Sequence, residues 1–195
     1  MKKPLLVFDV ESLGLHGEGF GFGYVVLENG KRVEEGQHFC PVTEARFPVA
    51  NMSARDFQRV TTHLNVDWMT YLSDRQKEDW NWVQANVVPH MPTPQHQTPL
   101  EVRKEFWHIW RRWENRGATL WAEWAWPVEA RFLAACVDDD INARCWTGPC
   151  PLHEIATLRR KAPHTAPRLD DEKPIHNPLA DARQSARLLW EALQK

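Results

Sequence analysis

The segment Leu5-Leu6-Val7-Phe8-Asp9-Val10-Glu11 constrains the fold of this chain more than any other. Its apolar run is too short to span a membrane, and it reads as a strand buried on both faces of a sheet. Side chains in a strand alternate faces, which puts Asp9 and Glu11 on one side, about 6 to 7 Å apart along the strand. Two carboxylates this close at the end of a buried strand raise each other's pKa unless a cation sits between them. A divalent ion is the simplest such cation, and oxygen ligands suit magnesium or manganese. The plain alternative is a solvated strand end with two acids by chance, because D-x-E alone is a short pattern.

A chain of 195 residues, 43% hydrophobic and 26% charged, has room for a single domain with a sizeable core. Its net charge of -2 gives no global attraction to nucleic acid, so binding of that kind would need a local basic patch. Eleven tryptophans supply large stackable surfaces, most of them expected in the core. Cys40, Cys136, Cys145 and Cys150 form no C-x-x-C pair and no zinc spacing, which fits free thiols in a reducing cytoplasm. No stretch reaches the length of a membrane span, and a soluble cytoplasmic protein is expected.

Between Gly17 and Gly23 a glycine repeat leads into a strand, not a helix, which argues against a dinucleotide loop and for a second strand that passes close to the first or to a bound ligand. Asn29-Gly30 signals a type I′ hairpin between strands near 20 to 28 and 31 to 40. From Pro41 to about Gly117 the pattern turns helical. Ser53 with Asp56 opens one segment carrying Phe57, Val60 and Leu64; Ser73 with Gln76 opens a second with Trp80, Val83 and Val87. Pro89, Pro92, Pro94 and Pro99 mark an extended loop, and Thr98-Pro99-Leu100-Glu101 is a full helix start. Val102, Phe106, Ile109 and Trp113 share one face of that helix. Arg103, Lys104, Arg111 and Arg112 decorate it, either as a solvated face or as a surface that tracks phosphates beside exposed tryptophans. A fourth strand follows at Thr119–Ala122, then a helix from Pro127 with Glu129 in its first turn, where the dipole favours an anion. A last strand is expected over 143–147, a helix over 151–161 and a loop over 162–174.

The segment His176-Asn177-Pro178-Leu179-Ala180-Asp181-Ala182 is the second sharp signal. Asn177 is a natural N-cap and Pro178 a natural first helical residue, which places His176 and Asp181 at the two positions that meet in a hydrophobic staple. An apolar pair would stabilise the helix start better, so an imidazole facing a carboxylate points to chemistry. Leu179, Ala182, Ala186, Leu189 and Leu193 give the helix its buried face.

Taken in this order, the motifs resemble those of the DEDDh exonucleases of the ribonuclease H-like superfamily, which includes oligoribonuclease, RNase T and polymerase proofreading subunits. Asp9-Val10-Glu11-Ser12-Leu13-Gly14-Leu15 matches the first motif, D-x-E-[TS]-x-G-L, and His176 through Asp181-Ala182 matches H-x4-D-A. Glu129, followed by Phe132 and Leu133, stands where the family has an aspartate, and Glu123 at the end of strand four competes for that place. The resemblance leaves out residues 43 to 98, and the helical stretch before strand four is closest in feel to phage or plasmid-type members. It implies an α/β fold: a mixed five-stranded sheet flanked by helices, one domain over 1–195 with a helical insertion at about 43–118. It also implies a 3′–5′ exonuclease acting on single-stranded DNA or RNA ends and releasing nucleoside 5′-monophosphates. Asp9, Glu11 and Asp181 would ligate one Mg²⁺ or Mn²⁺, Asp9 and Glu129 a second, and His176 would be the general base. Ser12, Leu13 and Gly14 would receive the terminal nucleotide, with Leu15 wedged against its base. No membrane partner is expected, and the oligomeric state is open, a homodimer included. The competing reading is a weakened nuclease fold that binds nucleic acid or a protein without cleaving.

Overall fold

In chain order the elements are β1 (Leu5–Ser12), β2 (Gly19–Glu28), β3 (Lys31–Phe39), α1 (Asp74–Asn86), α2 (Pro99–Glu114), β4 (Thr119–Ala122), α3 (Val128–Asp138), α4 (Ile141–Arg144), β5 (Leu152–Glu154), α5 (Ile155–Arg159) and α6 (Pro178–Leu193). They are those of a computed structural model that describes residues 3–47, 72–149, 151–159 and 166–194. The helix start expected at Ser53–Asp56 lies outside the described residues.

The strands form one mixed sheet in the order β3-β2-β1-β4-β5. β1 pairs antiparallel with β2 and parallel with β4, and β4 pairs parallel with β5. Asn29 and Gly30 both take positive φ, 51° and 80°, as the tight turn between β2 and β3 requires. The chain is thus α/β, with a five-stranded sheet flanked by helices. Among the described residues no helix is long and apolar enough to cross a membrane.

Residue parity along β1 decides which helix covers which side chain. Leu6, Phe8 and Val10 face the larger core, with Phe22, Tyr24 and Val26 of β2 and Val102, Phe106, Ile109, Trp110 and Trp113 of α2. The Phe106 ring lies 5.0 Å from that of Phe8 and 5.3 Å from that of Phe22. Leu5 and Val7 face the other way, onto Ala182, Ala186 and Leu189 of α6. The small residues at 182 and 186 let α6 sit close to the sheet. What reads in sequence as an insertion therefore supplies, in α2, the main covering helix of one sheet face.

Several local expectations need correction. Residues 143–147 contain no strand: Asp140 caps α4, its side chain accepting from the Ala143 N–H. The fifth strand is Leu152–Glu154, inside the stretch expected to be helical; it pairs Leu152 with Leu120 before α5 begins at Ile155. Three residues are too few for the alternation that marks a strand. On α2, Arg103 is buried, not solvated, and Trp107, Trp110 and Trp113 are buried as well. Cys40 and Cys136 are buried free thiols, and burial pushes the Cys40 thiol up to about 12.

Candidate active site

The face of β1 that carries Leu5 and Val7 continues as Asp9 and Glu11, past the point where α6 begins. Asp9 stands opposite Gly23, and Glu11 opposite Gly21. The reason for glycine at 23 is spatial: a Cβ there would lie 2.2 Å from the backbone of Pro178 and Leu179. Gly23 thus lets the first turn of α6 rest on the sheet beside Asp9. An apolar strand face under a helix becomes an acidic strand face at the helix's end.

That first turn is built as its sequence dictates. The Asn177 side chain accepts from the Ala180 N–H at 3.0 Å, and Pro178 opens the helix. His176 takes φ 60°, which turns its backbone N–H onto Asp181 Oδ2 at 3.0 Å. The expected His176–Asp181 meeting therefore runs through the main chain, leaving the imidazole to stand edge to face with Trp82 of α1, ring centroids 4.9 Å apart. One ligand atom from each of Glu11, His176 and Asp181 lies within 4.8 Å of the others.

Asp9, Glu11, Glu123, Glu129 and Asp181 line one cleft of about 670 Å³, together with Arg168 and His176. That volume is in the range of small-molecule sites. Glu123 directly follows β4, and its Oε2 accepts from Ser185 Oγ of α6 at 3.3 Å. Glu129, in the first turn of α3, is held by the backbone N–H groups of Val10 and of itself. Glu123 and Glu129, rivals in the sequence, both reach the cleft.

Burial and mutual repulsion dominate the electrostatics. Burial, then Asp181, Glu11, Glu129 and Glu123, drive the Asp9 pKa well above the usual carboxylate range. Burial with Asp181 and Glu129 raises Glu11 to about 8. Burial raises Glu129 to about 7 against the pull of its two backbone donors. Asp181 is raised by burial and held back by Arg168. His176 is lowered by burial, against the pull of Asp181 and with the help of Arg168 and His90, so its imidazole is mostly neutral at neutral pH. Hard oxygen donors, crowded enough to keep protons they would ordinarily release, fit a divalent cation such as Mg²⁺ or Mn²⁺. Asp181 Oδ1 is buried with a cation already beside it, Arg168 Nη2 at 2.5 Å.

The strand-end loop is less uniform. Leu15 is exposed at the cleft rim. Ser12 and Gly14 line an adjoining groove of about 460 Å³ that runs to Trp82 and Arg75 of α1, and the Ser12 hydroxyl donates to Gly14 O at 2.7 Å. Leu13 is fully buried, and its N–H donates to Glu18 O at 3.2 Å.

Sequence reasoning missed Arg168, Trp124, Trp126 and Ile175, which also line the cleft. Arg168 lies in a loop with no motif to mark it. The two indoles had a signal: they follow the C-terminal end of a parallel strand, where α/β folds place their ligands. Compared with known proteins, the chain matches no family model, and no curated protein matches its sequence.

Proposed function

We propose that this protein is a metal-dependent 3′–5′ exonuclease with a ribonuclease H-like arrangement, hydrolysing single-stranded DNA or RNA from the 3′ end to nucleoside 5′-monophosphates. One observation carries the reading: Asp9, Glu11, Glu129, His176 and Asp181, far apart in sequence, line a single cleft at the end of the central strand. They are also the residues on which the resemblance to DEDDh exonucleases rests.

In this reading Asp9, Glu11 and Asp181 hold one divalent ion, and Asp9 and Glu129 hold a second. Two such ions would activate the attacking water and stabilise the leaving oxygen of an in-line displacement at phosphorus. His176, neutral at neutral pH and next to Asp181, accepts the water's proton. Its main-chain tie to Asp181 and its contact with Trp82 hold the ring at the edge of the cleft. Leu15, Trp124, Trp126 and Ile175, all exposed at the rim, offer flat apolar surface to unstacked bases.

A 5′-labelled single-stranded oligonucleotide incubated with Mn²⁺ or Mg²⁺ should shorten stepwise from its 3′ end. Asp181→Asn and His176→Ala should each slow the ladder by at least about a hundredfold. Intact DNA and RNA with both metals would end the reading.

A further inference from the structure

Among the described residues, the cleft is lined by five carboxylates and one guanidinium, that of Arg168. Arg168 Nη2 lies 2.5 Å from the buried Asp181 Oδ1, a short ion pair. The contact is ionic and lacks the alignment of a bidentate arginine–carboxylate pair. The other end of the guanidinium is fixed, with Nη1 donating to Glu172 O at 2.8 Å.

The segment behind Arg168 is clamped to α6. Gln184 donates to Ala166 O at 3.1 Å, Arg187 to Pro167 O at 2.9 Å and Arg183 to Asp171 O at 3.1 Å. Fully buried Glu172 takes two bonds from Arg187, at 2.6 and 2.8 Å, and one from the Leu169 N–H at 2.9 Å. A rigid mount therefore delivers a positive charge to one oxygen of Asp181.

We propose that Arg168 is the exchangeable counter-ion of the carboxylate cluster: it pairs with Asp181 when no divalent ion is bound and yields Oδ1 to the ion when one arrives. This rests on the metal-binding half of the functional reading, not on nuclease activity. A guanidinium and a dication cannot share an oxygen without repulsion, so ion binding works against the Arg168–Asp181 pair. Arg168 is then a positioning residue that keeps Asp181 in place in the metal-free protein and weakens the apparent affinity for metal. Once released, the guanidinium stands in the cleft as a fixed cation for a phosphate oxygen.

The test compares wild type with Arg168→Gln by Mn²⁺ titration calorimetry and by thermal melts in EDTA and in saturating Mn²⁺. Arg168→Gln should bind Mn²⁺ at least about tenfold tighter, since its competitor is gone. It should melt several degrees lower in EDTA, and saturating Mn²⁺ should close that gap. Arg168→Lys keeps the charge and should bind Mn²⁺ within about threefold of wild type; it serves as the measured variant if Arg168→Gln does not fold in EDTA. Unchanged or weaker Mn²⁺ binding by Arg168→Gln, an equal melting loss in both conditions, tighter binding by Arg168→Lys to the same degree, or a wild type that binds no Mn²⁺ would each overturn the proposal. A wild type that shows the exchange but leaves oligonucleotides intact would overturn the exonuclease reading alone.

Discussion

Two arginines of this protein meet acids below the surface of the fold, with opposite results. Arg103 of α2 forks onto Asp139, Nε to Oδ2 at 2.7 Å and Nη2 to Oδ1 at 2.9 Å, and its Nη1 reaches Glu18 at 2.7 Å. Glu18 Oε2 accepts in turn from the Arg46 N–H at 3.1 Å. This cluster joins α2, the β1–β2 loop and the end of α3, with its charges nearly balanced and its hydrogen bonds made. Arg168 shares its cleft with five carboxylates and pairs with one of them, Asp181, through one nitrogen and one oxygen at 2.5 Å. Where the aim is only to hold elements together, acids come with enough donors; where acids outnumber donors, the fold carries repulsion that only a further cation relieves. The first arrangement is structural and the second is suited to binding.

Removing charge should separate the two. Arg103→Ala leaves Asp139 and Glu18 without their main partner and should destabilise the protein by about 3–5 kcal/mol in urea, equally in EDTA and in Mn²⁺. Glu11→Gln removes a carboxylate from the crowded cleft and should stabilise the metal-free protein by about 1–3 kcal/mol at pH 8.5, while weakening Mn²⁺ binding. If Glu11→Gln is as destabilising as Arg103→Ala, the two clusters are alike and the distinction fails.

The same contrast predicts a pH dependence. Glu11 and Glu129 titrate near 8 and 7 in the folded protein, against an ordinary 4.5. Between these values the folded state binds more protons than the unfolded, so stability falls as pH rises. That is opposite in sign to an ordinary salt-bridged carboxylate. In EDTA the melting temperature should drop by about 2–5 °C between roughly pH 5.5 and 8.5. Saturating Mg²⁺ should flatten or reverse the trend, because the ion binds the deprotonated ligands. A melting temperature in EDTA that is level or rises over this window would contradict the crowding of the acids.

How far the sequence carried depended on whether a feature was local. The capping box at Ser73 and Gln76, the Thr98 and Asn177 caps and the Asn29-Gly30 turn all form as their residues dictate, because each needs only neighbours within a few positions. The parity of Asp9 and Glu11 was legible for the same reason. Arg168 and Arg103 were not: an isolated arginine gives no sign of whether a distant carboxylate awaits it, and both partners are brought by tertiary packing. The short β5 failed because three residues cannot display a period. The glycine repeat was expected to let β2 pass close to β1 or a ligand; at Gly23 the approaching backbone is instead the start of α6, more than 150 residues away in the chain.

The smallest effect is expected from the arginines that looked best suited to nucleic acid. Arg111 pairs with Glu114, Arg112 with Glu34 of β3, and Arg116 with Glu28 at 2.7 Å. Glu34 lies opposite Val26, and Glu28 adjoins the hairpin turn, whereas the acids of the cleft face Gly21 and Gly23. Three to seven residues of strand separate the two places, about 10 to 24 Å. They also occupy opposite faces of the sheet, since α2 covers one and α6 the other. These arginines are thus matched with acids at the far end of the fold, as in the Arg103 cluster but exposed, where each pair contributes about 0–1 kcal/mol. Arg111→Ala with Arg112→Ala, made in an Asp181→Asn background and measured by fluorescence anisotropy, should change oligonucleotide affinity by less than about twofold. The slope of log affinity against log salt should not move; two arginines that did neutralise phosphates of a single strand would make it shallower by about 1.4 on their removal. A slope change of that size would place the nucleic acid across α2 and away from the face where the carboxylates gather.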